Sequence, residues 1–302
     1  MQRPSLGELE RRCQKPDSRQ LGNWMARRVS RPMALRITWI VAPWPVSANA
    51  ATLAAWGCGA AAAIAFGWGT VWGWLTGAAA LQCWYLLDHV DGQLARLRGT
   101  ASLDGVQLDY LMHHTVHLLV PIGVGFGLSA RSGEPGWLLG GLVWGIALLL
   151  ITLVHDARYK AFIQRLKRVR GRLYVEGGAV RPASQPPLPR GRLRRIAWAA
   201  RKACEAHVTM NVVSALALGQ LVLYDVNLVS ARWYLAVMAP VAAATATWTI
   251  ARSQRAQSAE QEFAAWYQVP DGHALVFRDG WWVVEQRTNK GDITHIGRLG
   301  KK

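Results

Sequence analysis

The chain has 302 residues, 51% of them hydrophobic, with 16 Trp, a formal net charge of +17 and a mean hydropathy of only +0.09. That average mixes two materials, because no Asp, Glu, Lys or Arg occurs from Ile37 to Leu87, a run that excludes a water-soluble globular fold. Cys13, Cys58, Cys83 and Cys204 are scattered without a C-x-x-C pair, so neither a zinc site nor a disulfide framework is indicated.

Residues 1–30 read as a polar, basic cytoplasmic leader that lacks the apolar stretch of a cleavable signal peptide. Arg31 to Val41 reads as an N-terminal interfacial amphipathic helix, in which Arg27, Arg28, Arg31 and Arg36 flank Met33, Leu35, Ile37, Trp39 and Ile40 before Pro43 and Pro45 break it. Six membrane spans are expected next, at about 49–66, 71–98, 102–128, 137–162, 205–224 and 233–250, with Ser47 or Asn49 capping the first. Together they make a membrane domain over 31–250. Residues 163–204 form its basic cytoplasmic loop, with 181–195 an irregular linker. In the cytoplasmic tail, 251–302, the β-rich runs His273–Arg278 and Trp281–Gln286 surround Asp279-Gly280, a hairpin signal to which no function attaches. The predicted fold is all-α: a polytopic membrane protein with six transmembrane helices, an interfacial helix and a small β-rich C-terminal tail.

The charge respects this topology. Of the 35 Lys and Arg, 9 precede Ile37, 14 lie from Arg158 to Lys202 and 8 follow Ala251, while Arg131 and Arg232 are the ones in short loops on the other side. An even number of spans puts the three basic segments on one face, which the positive-inside rule makes cytoplasmic, at the inner membrane. Nucleic acid is rejected as a partner, because nucleic-acid binding does not make charge follow membrane topology. Anionic membrane lipid is the partner expected for most of these cations. Trp24, Trp39, Trp44 and the Trp residues of the spans read as interfacial belt and packing residues.

Ionisable groups inside spans are costly and mark function by default. Here they are Asp88, Asp91, Asp109, His113, His155, Asp156 and His207, all in the cytoplasmic half of their spans. Asp88 and Asp91 stand at i, i+3 on one helix face and Asp109 and His113 at i, i+4 on the next, so two antiparallel helices can turn three carboxylates and an imidazole toward each other. Gly92, Ala95 and Gly105 on the same faces allow either close helix approach or space for a ligand. Three carboxylates together call for a divalent cation, and all-oxygen ligation favours Mg²⁺ or Mn²⁺ over zinc. Arg96 adds a fixed cation one turn on. The set suits a substrate with a diphosphate head and a lipid tail. His114 and His117 read as helix-packing residues. His155, Arg158 and Lys160 read either as a site for an acceptor phosphate or as positive-inside anchors.

At these residues the chain resembles the CDP-alcohol phosphotransferase family, whose motif is D-x-x-D-G-x-x-A-R, a short gap, then G-x-x-x-D-x-x-x-D. Asp88, Asp91, Gly92, Ala95 and Arg96 stand at its first five positions, and after eight residues Gly105, Asp109 and His113 follow at the family's spacing. Upstream, Ser47-Ala48-Asn49-Ala50-Ala51-Thr52 is similar to the family's P-N-x-x-T, with Ala48 in place of Pro. The resemblance covers about residues 30–250.

It implies that an alcohol acceptor attacks the phosphorus of a CDP-linked lipid or alcohol donor, most simply CDP-diacylglycerol, with release of CMP, and that the protein is a homodimer. It implies Asp88, Asp91 and Asp109 as metal ligands, and Thr52, Asp88, Gly92, Ala95, Arg96 and Gly105 as the CDP pocket. The departure is the last motif position, where His113 replaces the family's presumed base. Imidazole is a competent base near neutral pH and also a metal ligand, so His113 is the catalytic candidate. The alternative is a non-catalytic relative that binds CDP-lipid and metal without transfer. A divalent-cation transporter would need polar groups through the other leaflet, where these spans offer almost none.

Overall fold

Among residues 5–14, 22–175 and 189–286, which the computed structural model describes, ten α-helices and five short strands form two compact units. The first unit takes the described residues up to Thr152 and those from 189 to Thr247. Its helices are α1 (Leu6–Cys13), α2 (Arg31–Val41, preceded by one π-helical turn at Ala26–Ser30), α3 (Ala48–Gly67), α4 (Val71–Arg98), α5 (Leu103–Ser132), α7 (Arg192–Ala203) and α8 (Ala206–Val222). The first parts of α6 (Gly136–Leu166) and α9 (Val229–Arg255) belong to it as well.

Local chemistry sets the helix ends. Ser47, Thr70 and Ser102 stand at the N-caps of α3, α4 and α5, and their hydroxyl oxygens accept the amides of Ala50, Gly73 and Gly105 at 3.1, 3.0 and 3.1 Å. Gly99, at φ +64°, ends α4 in the left-handed region that a side chain resists, and α5 starts four residues later. Helix α3 packs against both α4 and α5. Against α5 it does so backbone to backbone, since a Cβ on Gly123 would lie 2.1 Å from the Ala63 carbonyl oxygen and one on Gly127 2.1 Å from that of Phe66. The core beneath holds Phe66, Trp74, Trp84, Met112, Leu128 and Trp144, all buried. Phe66 and Trp74 meet edge to face at 5.2 Å.

Four described helices, α3, α5, α6 and α9, are long and apolar enough to cross a membrane, and they bury only 28 to 44% of their apolar windows inside the protein. The protein is therefore mostly helical and membrane-embedded. Of the other two expected spans, α8 has 17 residues, about 26 Å at 1.5 Å per residue and so shorter than a bilayer core of about 30 Å. Helix α4 runs for 28 residues, but Asp88, Asp91, Arg96 and Arg98 crowd its last third.

Among the described residues of the amino-terminal leader, 5–14 and 22–30, local structure is present. Ser5 caps α1, and Leu9 and Cys13 on its inner face are fully buried. In α2 Met33 and Ile40 turn outward, 45 and 48% exposed, while Ala34 packs inward with Ala51, Val90 and Leu94, flanked by Ile37, and Thr38 is buried. Part of the basic linker is helical too: Arg192, Arg194 and Arg195 lie in α7, whereas 176–188 fall outside the described residues.

The second unit comprises residues 153–175 and 248–286. Strands β4 (His273–Arg278) and β5 (Trp281–Gln286) pair antiparallel around Asp279-Gly280, both at positive φ as a tight hairpin turn demands. Two segments of the preceding loop join the tail. Strand β1 (Val169–Arg170) pairs parallel with β5, and β2 (Tyr174–Val175) pairs antiparallel with β3 (Tyr267–Gln268). Helix α10 (Ser258–Trp266) is held to the end of α6 by Arg158–Glu262 at 2.8 Å, by Arg165–Glu260 and by the edge-to-face rings of Phe162 and Phe263.

Candidate metal and phosphate site

The site lies in the first unit, where the short Gly99–Ser102 turn makes α4 and α5 an antiparallel pair. Asp88 precedes Gly99 by eleven residues and His113 follows Ser102 by eleven, which puts them at one height along the pair. The structure joins them across the gap: His113 Nε2 lies 2.9 Å from Asp88 Oδ1 and 3.4 Å from Asp109 Oδ1. The ring is seated by Trp84, which is 2% exposed and meets it edge-on at 5.5 Å. A second imidazole, His89 on α4, also borders Asp88, its Nδ1 3.5 Å from Oδ2 and 2.8 Å from the Tyr85 carbonyl oxygen.

Asp88, Asp109 and His113 each offer one donor atom within 4.8 Å of the other two. Two carboxylate oxygens and one imidazole nitrogen so placed can converge on a single divalent cation, and the set admits Mn²⁺ and other first-row ions as well as Mg²⁺. Asp91 is held differently. It is 8% exposed, and its Oδ2 accepts the Thr52 hydroxyl at 2.7 Å. A buried carboxylate needs such a donor, and Thr52, itself 4% exposed, supplies it from α3.

These groups open onto one cavity of about 240 Å³. Its wall holds Asp88, Asp91, Gly92, Arg96, Asp109 and His113 from the predicted set. Thr52 stands behind Asp91 instead of on the wall, and Ala95 and Gly105 do not line it. Between the two readings of the small residues, space beside the carboxylates is the one seen on α4, since a Cβ on Gly92 would meet only its own helix's Arg96 guanidinium, at 3.3 Å. A Cβ on Gly105 would face Ser102 Oγ and Asn49 Oδ1, at 3.3 and 3.5 Å, so α3 and α5 are close there. Arg96 donates through Nε to the Cys13 carbonyl, which ties α1 to the rim.

Four wall residues were not anticipated: Gln14, Arg31, His89 and Gln93. Gln93 carried a weak signal as an uncharged polar residue between Asp91 and Arg96, in a stretch of α4 already marked by its charges. The other predicted residues lie elsewhere. His155, Arg158 and Lys160 are in the second unit, where Arg158 pairs with Glu262 and with His155, and Lys160 is exposed. His207 Nδ1 lies 3.7 Å from Glu205. His117, one turn beyond His113, has both ring nitrogens buried without a hydrogen-bond partner among the described residues, and it packs on Trp84 at 6.2 Å.

Compared with models of known protein families the chain finds no match, and a search of curated proteins finds none either.

Proposed function

We propose that the protein is an integral-membrane transferase that moves a substituted phosphate group, phosphatidyl from CDP-diacylglycerol in the simplest case, to an acceptor alcohol with release of CMP, as a step of phospholipid biosynthesis. One observation carries the reading. Asp88, Asp91, Gly92 and Arg96 of the D-x-x-D-G-x-x-A-R spacing and Asp109 of the G-x-x-x-D spacing line one cavity together with His113. In this reading α4 and α8 also cross the bilayer, giving six spans with both termini on the cytoplasmic side of the inner membrane, and two copies pair as a dimer.

Asp88 and Asp109 would hold a divalent cation, Mg²⁺ or Mn²⁺, with Asp91 held ready by Thr52. A cation there supplies neutralisation of charge on the transferring phosphoryl group and on the departing CMP. His113 would take the proton of the acceptor hydroxyl at Nε2, with Asp88 and Asp109 turned to the cation instead of to the imidazole. Trp84 fixes its ring plane. Arg96 binds the nucleotide side through guanidinium nitrogens other than the Nε that Cys13 holds.

The contact of His113 Nε2 with both Asp88 and Asp109 favours a second reading, in which the imidazole closes the carboxylate cluster and the protein binds CDP-lipid without transferring it. Product analysis separates the two. Purified protein given CDP-diacylglycerol, Mn²⁺ and a panel of glycerol 3-phosphate, inositol, inositol phosphate and serine yields a new phospholipid by mass spectrometry if it is a transferase. Donor binding without a product in any arm leaves the second reading.

A further inference from the structure

Arg31 is one of the four wall residues that the sequence does not mark, since it stands there among the cations that flank an interfacial helix. It opens α2, and it shares one cavity with Asp88, Asp91, Asp109 and His113. Its backbone is fixed to the helix that carries two of those carboxylates. Gln93, 1% exposed on α4, donates from Nε2 to the Arg31 carbonyl oxygen at 3.3 Å and accepts the Thr38 hydroxyl through Oε1 at 2.9 Å. A buried amide with both ends bonded to α2 locks the two helices in register. Gly22, at φ +90°, comes so near the guanidinium that a Cβ there would lie 2.9 Å from Arg31 Nη2. The chain thus passes close beside the Arg31 guanidinium at Gly22.

Charge decides what such a cavity takes. Its wall carries three carboxylates and two guanidinium groups, one net negative charge with the imidazoles neutral. A divalent cation at the carboxylate end turns that into one net positive charge, and the loaded cavity then attracts an anion. A volume of about 240 Å³ falls below the roughly 300 Å³ at which drug-sized pockets begin, so it receives a head group and not a whole lipid. Two planar guanidinium forks in the wall match phosphate oxygens.

We propose that Arg31 binds a phosphate group of the molecule that occupies this cavity, so that α2, and not the membrane spans alone, sets the preference for a phosphate-bearing substrate. The inference rests on the reading of the cavity as a phosphate-transfer site. The phosphate has two sources, the donor's diphosphate or a phosphate on the acceptor alcohol, and the test tells them apart.

The full chain in nanodiscs, loaded with Mn²⁺, is titrated calorimetrically with CDP and, separately, with glycerol 3-phosphate, as wild type, Arg31→Gln and Arg31→Lys. Mn²⁺ affinity, read by electron paramagnetic resonance, checks that the carboxylate end is intact. Arg31→Gln is expected to weaken one of the two ligands about tenfold or more, with Arg31→Lys regaining only part, because an ammonium cannot form the paired contact. Loss confined to CDP assigns Arg31 to the donor, and loss confined to glycerol 3-phosphate assigns it to the acceptor. If Arg31→Gln does not fold, the same comparison is made with Arg31→Lys alone. Affinities for both ligands within twofold of wild type, with Mn²⁺ binding unchanged, overturn the proposal, as does a wild type that binds neither probe. CMP release is the separate readout: Arg31-dependent phosphate binding without CMP release removes the transferase reading and keeps this one, and wild-type CMP release by Arg31→Gln does the reverse.

Discussion

His113 Nε2 lies 2.9 Å from Asp88 Oδ1, although 25 positions and a helix turn-back separate the two residues. The contact follows from the equal distance of both from the Gly99–Ser102 turn, and it sets the imidazole beside two carboxylates. In the proposed chemistry His113 serves as base, so His113→Ala is expected to lower kcat by about 100-fold or more. His113→Asp should retain more activity than His113→Ala. Equal loss in both variants, at unchanged Mn²⁺ affinity, would remove the base assignment.

Asp88 and Asp109 belong to the three-donor cluster, whereas Asp91 is engaged with Thr52. Asp88→Asn and Asp109→Asn are therefore expected to weaken Mn²⁺ binding by at least about tenfold, and more than Asp91→Asn does. Chelation with EDTA should abolish turnover and added Mn²⁺ restore it. Mn²⁺ titration followed by electron paramagnetic resonance ranks the three variants.

Removing the Thr52 hydroxyl leaves the Asp91 carboxylate buried with one donor fewer. Hydrogen bonds to charged groups contribute about 1.5–3 kcal/mol, so Thr52→Val should cost about tenfold or more in kcat/KM, while Thr52→Ser stays near wild type. Equal activity of Thr52→Val and wild type would show that the hydroxyl does not position Asp91.

The tight α3–α5 crossing makes a contrast between two glycines. Gly123→Ala drives a Cβ into the Ala63 carbonyl oxygen at 2.1 Å and should destabilise by about 1–3 kcal/mol. Gly57→Ala, in α3 with nothing within 4 Å of its Cβ position, should be neutral or stabilise by about 0.5–1 kcal/mol. Thermal unfolding in detergent distinguishes them.

Asp225 caps α9, its carboxylate accepting the amides of Val229 and Ser230, each at 2.9 Å, and the Ser230 hydroxyl at 2.8 Å. Burial acts to raise this carboxyl, but those donors, with Arg232 nearby, hold it below the usual carboxylate range. A depressed folded value means that the stabilisation is complete above the unfolded pKa of about 3.9 and is lost as pH falls through the folded value. Asp225→Ala should therefore cost about 1 kcal/mol at neutral pH, and its gap from wild type should close only below about pH 4. A gap that persists unchanged at pH 2 would contradict the charge's part in the cap.

The carboxylate cluster was legible in the sequence because charged residues are conspicuous against apolar spans and because spacing about a short turn converts directly into height along two helices. Arg31 was not, since a cation at the edge of an interfacial helix looks the same whether it faces lipid head groups or a cavity. What distinguishes it is Gln93, whose bonds to Arg31 and Thr38 cross between helices 55 or more residues apart. The burial of Leu9 and Cys13 was equally hidden, because an eight-residue segment among charges gives little periodicity to read. Strands β1 and β2 are two residues each and form only by pairing with the tail, a long-range contact that local sequence does not encode.

The most direct measurement is metal-dependent release of CMP from CDP-diacylglycerol by the purified, folded chain, followed with and without Mn²⁺ for wild type, Asp88→Asn and His113→Asp. The account predicts release by wild type that requires both the metal and an acceptor alcohol, and loss of at least about 100-fold in Asp88→Asn. No CMP above background from wild type across the acceptor panel, with His113→Asp equally silent, would contradict it.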